Sequence, residues 1–177
     1  MASAYAQGTL NFANSSTSLV KQWTSRADST LINVPVGGGR VELLFGPIGT
    51  FDLNLFTSMA ITDFHTVPGR FSGGIVTIPT TVAGGPVALY VWGWTGSSLT
   101  WAGVNFSAGD MANITPIFNL AVTGNPTTVP PGTPVSMNPA FPGLTIVAFP
   151  EPSSMALAGL GTVSLLLFRR RVPARLP

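Results

Sequence analysis

The sequence contains no cysteine and very little charge. Among its 177 residues only one is His, and Asp, Glu, Lys and Arg together make up 8%. Without Cys there is no disulfide, no thiolate metal ligand and no thiol nucleophile. Soluble domains are about one quarter charged, so this chain has few groups for acid–base catalysis or ion pairs.

Basic residues are scarce outside the C-terminus. Four of the eight Lys and Arg residues lie in the last nine positions: Arg169, Arg170, Arg171 and Arg175. Up to residue 149 the net charge is −1, from four cations and five acids: Lys21, Arg26, Arg40 and Arg70 against Asp28, Glu42, Asp52, Asp63 and Asp110. Non-specific binding of nucleic acid needs a basic surface that releases counterions. The composition therefore predicts no nucleic-acid partner.

Residues that carry chemistry are too few and too scattered to indicate an enzyme. The single histidine, His65, would have to be the base for any nucleophilic serine, and no Gly-x-Ser-x-Gly elbow surrounds a serine. The acids show neither the pairing of a glycosidase nor the spacing of a calcium loop. We predict no enzymatic activity, no metal and no cofactor. A cleft that gathered His65 with two acids would instead favour an envelope hydrolase.

Short alternating segments fill the chain up to residue 149. Val41, Leu43 and Phe45 alternate with Arg40 and Glu42, as in a half-buried strand. Further strands are expected over 9–13, 17–23, 30–34, 52–55, 74–79, 86–94, 99–106, 116–122 and 144–149. Gly and Pro separate them at intervals of roughly 8–12 residues, which favours an all-β fold, a single antiparallel β-sandwich of the jelly-roll or immunoglobulin-like kind.

This sandwich is predicted to form one domain over residues 7–149. Residues 123–143 contain six prolines. Because Pro has no N–H to donate to a strand ladder, we expect this segment to be an extended connection. The strand at 144–149 then closes the sandwich.

An uncharged segment ends in an arginine triplet near the C-terminus. Residues 153–168 show no polar stripe, which a helix on a globular surface would have. As a helix these 16 residues would be about 24 Å long, a little less than the ~30 Å hydrocarbon core of a bilayer. Arg169, Arg170 and Arg171 fit a cytoplasmic anchor. We predict a single hydrophobic membrane helix here, with a buried core helix as the alternative.

The same region resembles a known sorting signal. Pro150-Glu151-Pro152-Ser153, the apolar segment and the arginines are similar, in this order, to the PEP-CTERM signal of Gram-negative bacterial surface proteins. The resemblance covers residues 150–171 and leaves 172–177 as an additional tail. It implies that the tail holds the precursor transiently in the inner membrane. An exosortase would recognise Pro150, Glu151 and Pro152 and cut nearby, and the protein would then reach the cell surface or the extracellular space.

The N-terminus carries a second trafficking signature. Ala4-Tyr5-Ala6 matches the A-x-A pattern of a signal-peptide cleavage site, although the basic and apolar regions that normally precede it are absent. An exported C-terminus favours an exported N-terminus. We interpret residues 1–6 as the remnant of a signal peptide and its cleavage region.

Tryptophans cluster in one part of the sequence, at Trp92, Trp94 and Trp101. Side chains alternate along a strand, so Tyr90, Trp92 and Trp94 share one face while Leu89 and its aliphatic neighbours share the other. If the aliphatic face is the core, the aromatic row points outward beside Trp101, where it could bind sugar rings or another protein. Alternatively, the aromatic rings form the core and a loop covers the aliphatic face.

These features predict an exported, exosortase-processed surface or extracellular-matrix protein with a structural or adhesive role. The body is similar to β-rich ectodomains often found ahead of PEP-CTERM tails, and this similarity implies no activity. A glycan-binding β-sandwich module of the cell envelope is the alternative. Exopolysaccharide or other surface proteins would then be its partners.

Overall fold

The computed structural model describes residues 7–79, 82–128 and 131–148. Within these ranges the chain is all-β, as predicted, with eleven strands and three short 3-10 helices. The strands are β1 (Gly8–Ala13), β2 (Val20–Ser25), β3 (Asp28–Asn33), β4 (Gly39–Gly46), β5 (Thr57–Asp63), β6 (Ser72–Ile78), β7 (Val87–Thr95), β8 (Ala112–Ile114), β9 (Phe118–Leu120), β10 (Val135–Ser136) and β11 (Leu144–Ile146). The helices are Leu53–Leu55, Trp101–Gly103 and Phe106–Ala108.

Strands β4 and β7 form the centre of a five-stranded sheet. Its order is β5-β4-β7-β8, and β9 also pairs with β7, further along the same strand. All of these pairs are antiparallel. The register of β4 and β7 runs without interruption from Gly39 opposite Thr95 to Gly46 opposite Ala88. This uninterrupted pairing fixes which side chains share a face.

The remaining strands form two three-stranded sheets, β10-β1-β6 and β11-β2-β3. Within them, β1 pairs with β10 and β2 pairs with β11 in parallel. The prediction of an entirely antiparallel fold is therefore wrong at these two pairs. Both parallel partners come from the C-terminal part of the body, because a parallel neighbour needs a long crossover rather than a hairpin.

One hydrophobic cluster joins all three sheets. Val41, Leu43, Leu89 and Val91 point into it from alternate positions of β4 and β7. The two smaller sheets contribute Leu10, Phe12, Val20, Ile78, Leu144 and Ile146. Each sheet thus contributes side chains to a shared core, which is how a β-rich domain excludes water from its central strands.

Two predicted strands are loops with 3-10 turns instead. Leu53–Leu55 is helical because the carboxylate of Asp52 accepts the N–H of Asn54 at 3.0 Å. In the predicted strand 99–106 the side chain of Asn105 likewise accepts the N–H of Ala108, at 3.1 Å. Such side-chain caps compete with strand pairing, and they outweigh the alternation of apolar residues in both segments.

The Pro-rich segment is extended only in part where it is described, because it turns at 126–127 and at 138–140, and it also pairs. Val135–Ser136 forms β10, and Gly124 makes an isolated bridge with Thr9. Proline interrupts the segment often enough that each pairing covers only one or two residues. The connection thus lies along β1 and adds an edge to its sheet.

Three predicted segments lie outside the described residues: the signal-peptide remnant at 1–6, the motif at 150–152 and the hydrophobic helix at 153–168. The arginine triplet at 169–171 lies there too. Among the residues that the structure does describe, no helix is long and apolar enough to cross a membrane.

Candidate functional site

The body ends beside one edge of the five-stranded sheet. After β11, Val147 forms a bridge with Ala112, which lies opposite Trp94 in the sheet. The last described residues therefore lie near the Gly39–Thr95 end of the central strands. Loop 47–55, which follows β4, lies at the other end, roughly 23 Å away at about 3.3 Å per residue of strand. In the sequence, the predicted sorting residues 150–152 come directly after the residues at the Gly39–Thr95 end.

The aromatic residues of β7 lie on the face opposite the core. Val87, Leu89 and Val91 enter the main hydrophobic cluster, and Gly93 on the same face makes room for the side chain of Leu144. The aliphatic side is therefore the core face. Tyr90, with the half-buried Trp92 packed against it, belongs to a separate hydrophobic cluster on the outer face.

Loops cover most of this outer face. The ring of Phe56 packs against Tyr90 with 4.8 Å between ring centroids. Trp101 packs against Trp92 at 4.3 Å and against Trp94 at 6.2 Å. As a result Tyr90 is 1% and Trp94 0% exposed, and neither of the two arrangements predicted from the sequence is correct in full. Both faces of β7 are buried, one by the smaller sheets and the other by loops.

Specific hydrogen bonds hold the covering loop 96–110 in place. The indole Nε1 of Trp94 donates to the carbonyl oxygen of Ser98 at 2.9 Å. The N–H of Asn105 donates to Oδ2 of Asp110 at 2.9 Å, and Nη1 of Arg26 donates to the carbonyl oxygen of Phe106 at 2.6 Å. These bonds keep the half-buried Trp101 in position over the strand.

A buried carboxylate lies beside the aromatic rings. Glu42 is opposite Trp92 in the sheet, is 6% exposed and accepts a hydrogen bond from the hydroxyl of Ser58. Burial raises the pKa of the Tyr90 phenol, and the negative charge of Glu42 raises this pKa further. The buried Nε1 of Trp92 has no hydrogen-bond partner in the described structure. Rings, a carboxylate and an indole N–H are the groups that sugar-binding sites use, but here they lie largely beneath the surface.

The residues considered for catalysis are not brought together into a reactive arrangement. His65 is exposed, and its Nδ1 lies 3.0 Å from the carbonyl oxygen of Asp63. The carboxylate of Asp63 pairs instead with Nε of Arg40 at 2.5 Å. Within the described ranges no three His, Cys, Asp or Glu residues lie close enough together to hold a metal ion.

One feature that the sequence did not predict is an apolar surface at the far end of the body. Loop 47–55 exposes Ile48, Phe51, Leu53 and Leu55, and the β6–β7 connection exposes Val82. We call these five residues the apolar end. A cavity of about 560 Å³ opens beside them. The sequence signal for this surface is the pair Leu53 and Leu55. Their alternation with Asp52 and Asn54 instead predicts a strand.

Comparison with known families finds one match. Residues 150–171 match the family described as the PEP-CTERM protein-sorting motif. The chain therefore carries this sorting motif at the position predicted from Pro150, Glu151 and Pro152, and the motif directs a protein to export and to processing by exosortase. No curated protein and no solved structure shows a significant match to the chain.

Proposed function

We propose that the chain is a surface or extracellular-matrix protein with a structural or adhesive role, released from its membrane tail by exosortase. The observation that carries this proposal is the match of residues 150–171 to the PEP-CTERM sorting motif. Exosortase recognises Pro150, Glu151 and Pro152, while residues 153–168 span the inner membrane transiently and Arg169, Arg170 and Arg171 anchor their cytoplasmic side.

The geometry of the body fits release of an independently folded unit. The core is formed within residues 7–148, from all three sheets. The motif begins only a few residues after β11, so a cut there removes the tail without opening a sheet. A structural or adhesive role is supported by the shared core of the layered body, its near-neutral charge and its exposed apolar end.

Replacing the motif tests this proposal. A variant carrying Pro150→Ala, Glu151→Ala and Pro152→Ala, produced in a host that has an exosortase, is expected to stay uncleaved in the membrane fraction. The unchanged chain should appear at the cell surface or in the medium. Val172→Ala, which lies outside the matched residues, is the control and should behave like the unchanged chain. Release of the triple variant at the normal level would contradict the proposal.

A glycan-binding role is the second candidate, and one observation favours it. Trp92 and Trp101 are only half-buried, so neither residue is fully shielded from solvent. Indole rings stack on sugar rings, and the Glu42 carboxylate beneath them can accept a hydroxyl hydrogen. Exopolysaccharide is the ligand class that such a pair would bind.

A further inference from the structure

The apolar end combines a projecting ring with a neighbouring cavity. Phe51 is 87% exposed, and its loop neighbours Ile48 and Leu55 are 48% and 55% exposed. The cavity of about 560 Å³ is lined by Ile48 and Leu55 from the same loop and by Val82 and Pro86 from the β6–β7 connection. Among the lining residues that the structure describes, Thr57 alone carries a side-chain hydroxyl. A large apolar side chain is therefore the group that this cavity accepts best.

We propose that a second copy of this chain binds at the apolar end, across a two-fold axis, with Phe51 of each copy in the cavity of the other. A two-fold interface brings the same patch of both copies together. Every contact therefore occurs twice, once from each copy to the other. A projecting ring and a cavity on one patch satisfy this requirement in a single arrangement. The pairing goes beyond the proposed function, which assigns no partner to this end.

The amount of exposed apolar surface supports this occupant. A phenylalanine side chain presents on the order of 150–250 Å², and four exposed aliphatic neighbours extend the patch. Continuous apolar patches of a few hundred Å² on a folded monomer usually mark interaction sites. Such a patch is large enough for the apolar centre of an interface of standard size, about 800 Å² per partner.

Charge also favours a second copy. The body carries a net charge of −1 up to residue 149, and a near-zero net charge favours association of like molecules. Asp52 is the only charged residue in loop 47–55, and its carboxylate already accepts from the N–H of Asn54 at 3.0 Å and from its Nδ2 at 2.9 Å. This loop would therefore bring no basic residue to the centre of the paired surface. A site for anionic lipid would need basic residues there.

The chain's own tail starts at the opposite end of the sheet from the apolar end. The described body ends near the Gly39–Thr95 end of the sheet, at Ala148, whereas the apolar end follows Gly46. The tail would have to return along the length of the sheet to reach the cavity. The two-fold pair needs no such path, and it places the Gly39–Thr95 ends of both copies away from the interface.

The absence of cysteine allows a direct test by cross-linking of the full chain in intact cells. Asn54→Cys places the chain's single thiol in the exposed loop of the apolar end. Ser97→Cys places it in an exposed loop at the opposite end, as the control. After treatment with a membrane-permeable bismaleimide, Asn54→Cys is expected to give a covalent dimer on a denaturing gel, and Ser97→Cys is not. Neither export nor processing is needed, so failure here is separate from failure of the proposed function.

Two further changes distinguish the proposed packing from general stickiness. Phe51→Ser, added to Asn54→Cys, should reduce the dimer yield at least about tenfold, as expected when an interface loses a central aromatic anchor. Thr57→Trp should also reduce it, because the new ring fills the cavity that receives Phe51. Non-specific hydrophobic contact would instead increase with an added Trp, and that result would overturn the proposal.

Other occupants give other results. If the tail or a lipid surface covers the apolar end, the Asn54→Cys thiol will resist a small maleimide without forming a dimer, and the proposal is overturned. It is likewise overturned if both cysteine variants cross-link equally. Phe51 is largely exposed, so the Phe51→Ser variant keeps the fold, and unchanged thermal melting verifies this.

Discussion

On the outer face of β7, Tyr90 lies between a phenylalanine and a buried carboxylate. Its side chain is 1% exposed, its ring contacts Phe56, and the charge of Glu42 acts on its phenol in addition to burial. Both influences disfavour the phenolate. The protonation state of this one residue is therefore coupled to folding.

This coupling predicts a loss of stability at alkaline pH. The pKa of Tyr90 in the folded state is raised above its ordinary value of 10.0, so the unfolded chain loses the phenolic proton first. The stabilising contribution is complete below about pH 10 and declines as the pH rises through the folded-state pKa. When urea unfolding is measured at about pH 8 to 11, the free energy of unfolding should fall more steeply with pH for the unchanged chain than for Tyr90→Phe. Equal slopes for Tyr90→Phe and the unchanged chain would contradict this account.

Asn14 shows why some residue roles are not visible in a sequence. It is 3% exposed, its Nδ2 donates to the carbonyl oxygens of Ser18 and Gly69 at 2.9 and 2.8 Å, and its Oδ1 accepts the N–H of Phe71 at 2.9 Å. Together these bonds join the β1–β2 turn to the loop before β6. In the sequence Asn14 looks like an ordinary turn residue, because its partners are identified only once distant segments meet.

At the scale of elements, β7 is covered on both faces, and its tryptophans differ in how much they contribute. Trp94 is 0% exposed and donates its indole hydrogen to Ser98, whereas Trp101 is half-buried and packs above it. Removing a fully buried ring leaves a cavity that the surroundings fill only in part. Stability should therefore depend far more on Trp94 than on Trp101.

We predict that Trp94→Ala lowers the free energy of unfolding by about 3–5 kcal/mol, and that Trp101→Ala lowers it by much less. Leu99→Ala, in the same loop and 68% exposed, is the control and should change stability by no more than about 0.5 kcal/mol. Urea unfolding measures all three. A small effect for Trp94→Ala would show that the loop does not seal this face.

Loss of retention on an exopolysaccharide column by Trp101→Ala, with stability retained, would support the glycan-binding alternative.

Individual elements show what the sequence could predict and what it could not. The strands over β4 and β7 followed from alternation, because both strands have one apolar face on the core. The parallel pairs β1–β10 and β2–β11 did not follow, since their partners are far apart in the chain and local pattern carries no register. The loops at Leu53–Leu55 and Trp101–Gly103 were mistaken for strands, because their apolar residues alternate with polar or small ones much as strand residues do. The sorting motif could be identified directly, because it is linear and its order along the chain is its signal.

At the scale of the whole molecule, the described body should fold without its tail. All three sheets meet in one cluster within residues 7–148, and a domain that buries its own apolar strand faces needs no further segment. A shortened chain of residues 7–149 is expected to melt cooperatively and to show the circular dichroism of β structure. A predominantly helical spectrum, or melting without cooperativity, would show that residues 150–177 complete the fold.

The central claim is that the body is released by a cut at the sorting motif, and the intact mass of the secreted protein tests it most directly. If Pro150, Glu151 and Pro152 direct processing, the protein recovered from the cell surface or medium ends near these residues. It then lacks residues 153–177, including all four C-terminal arginines. Mass spectrometry of the protein from a host with exosortase should give this shorter mass, and the same host without exosortase should retain the full-length chain in its membranes. Secreted material that still contains residues 153–177 would contradict the account.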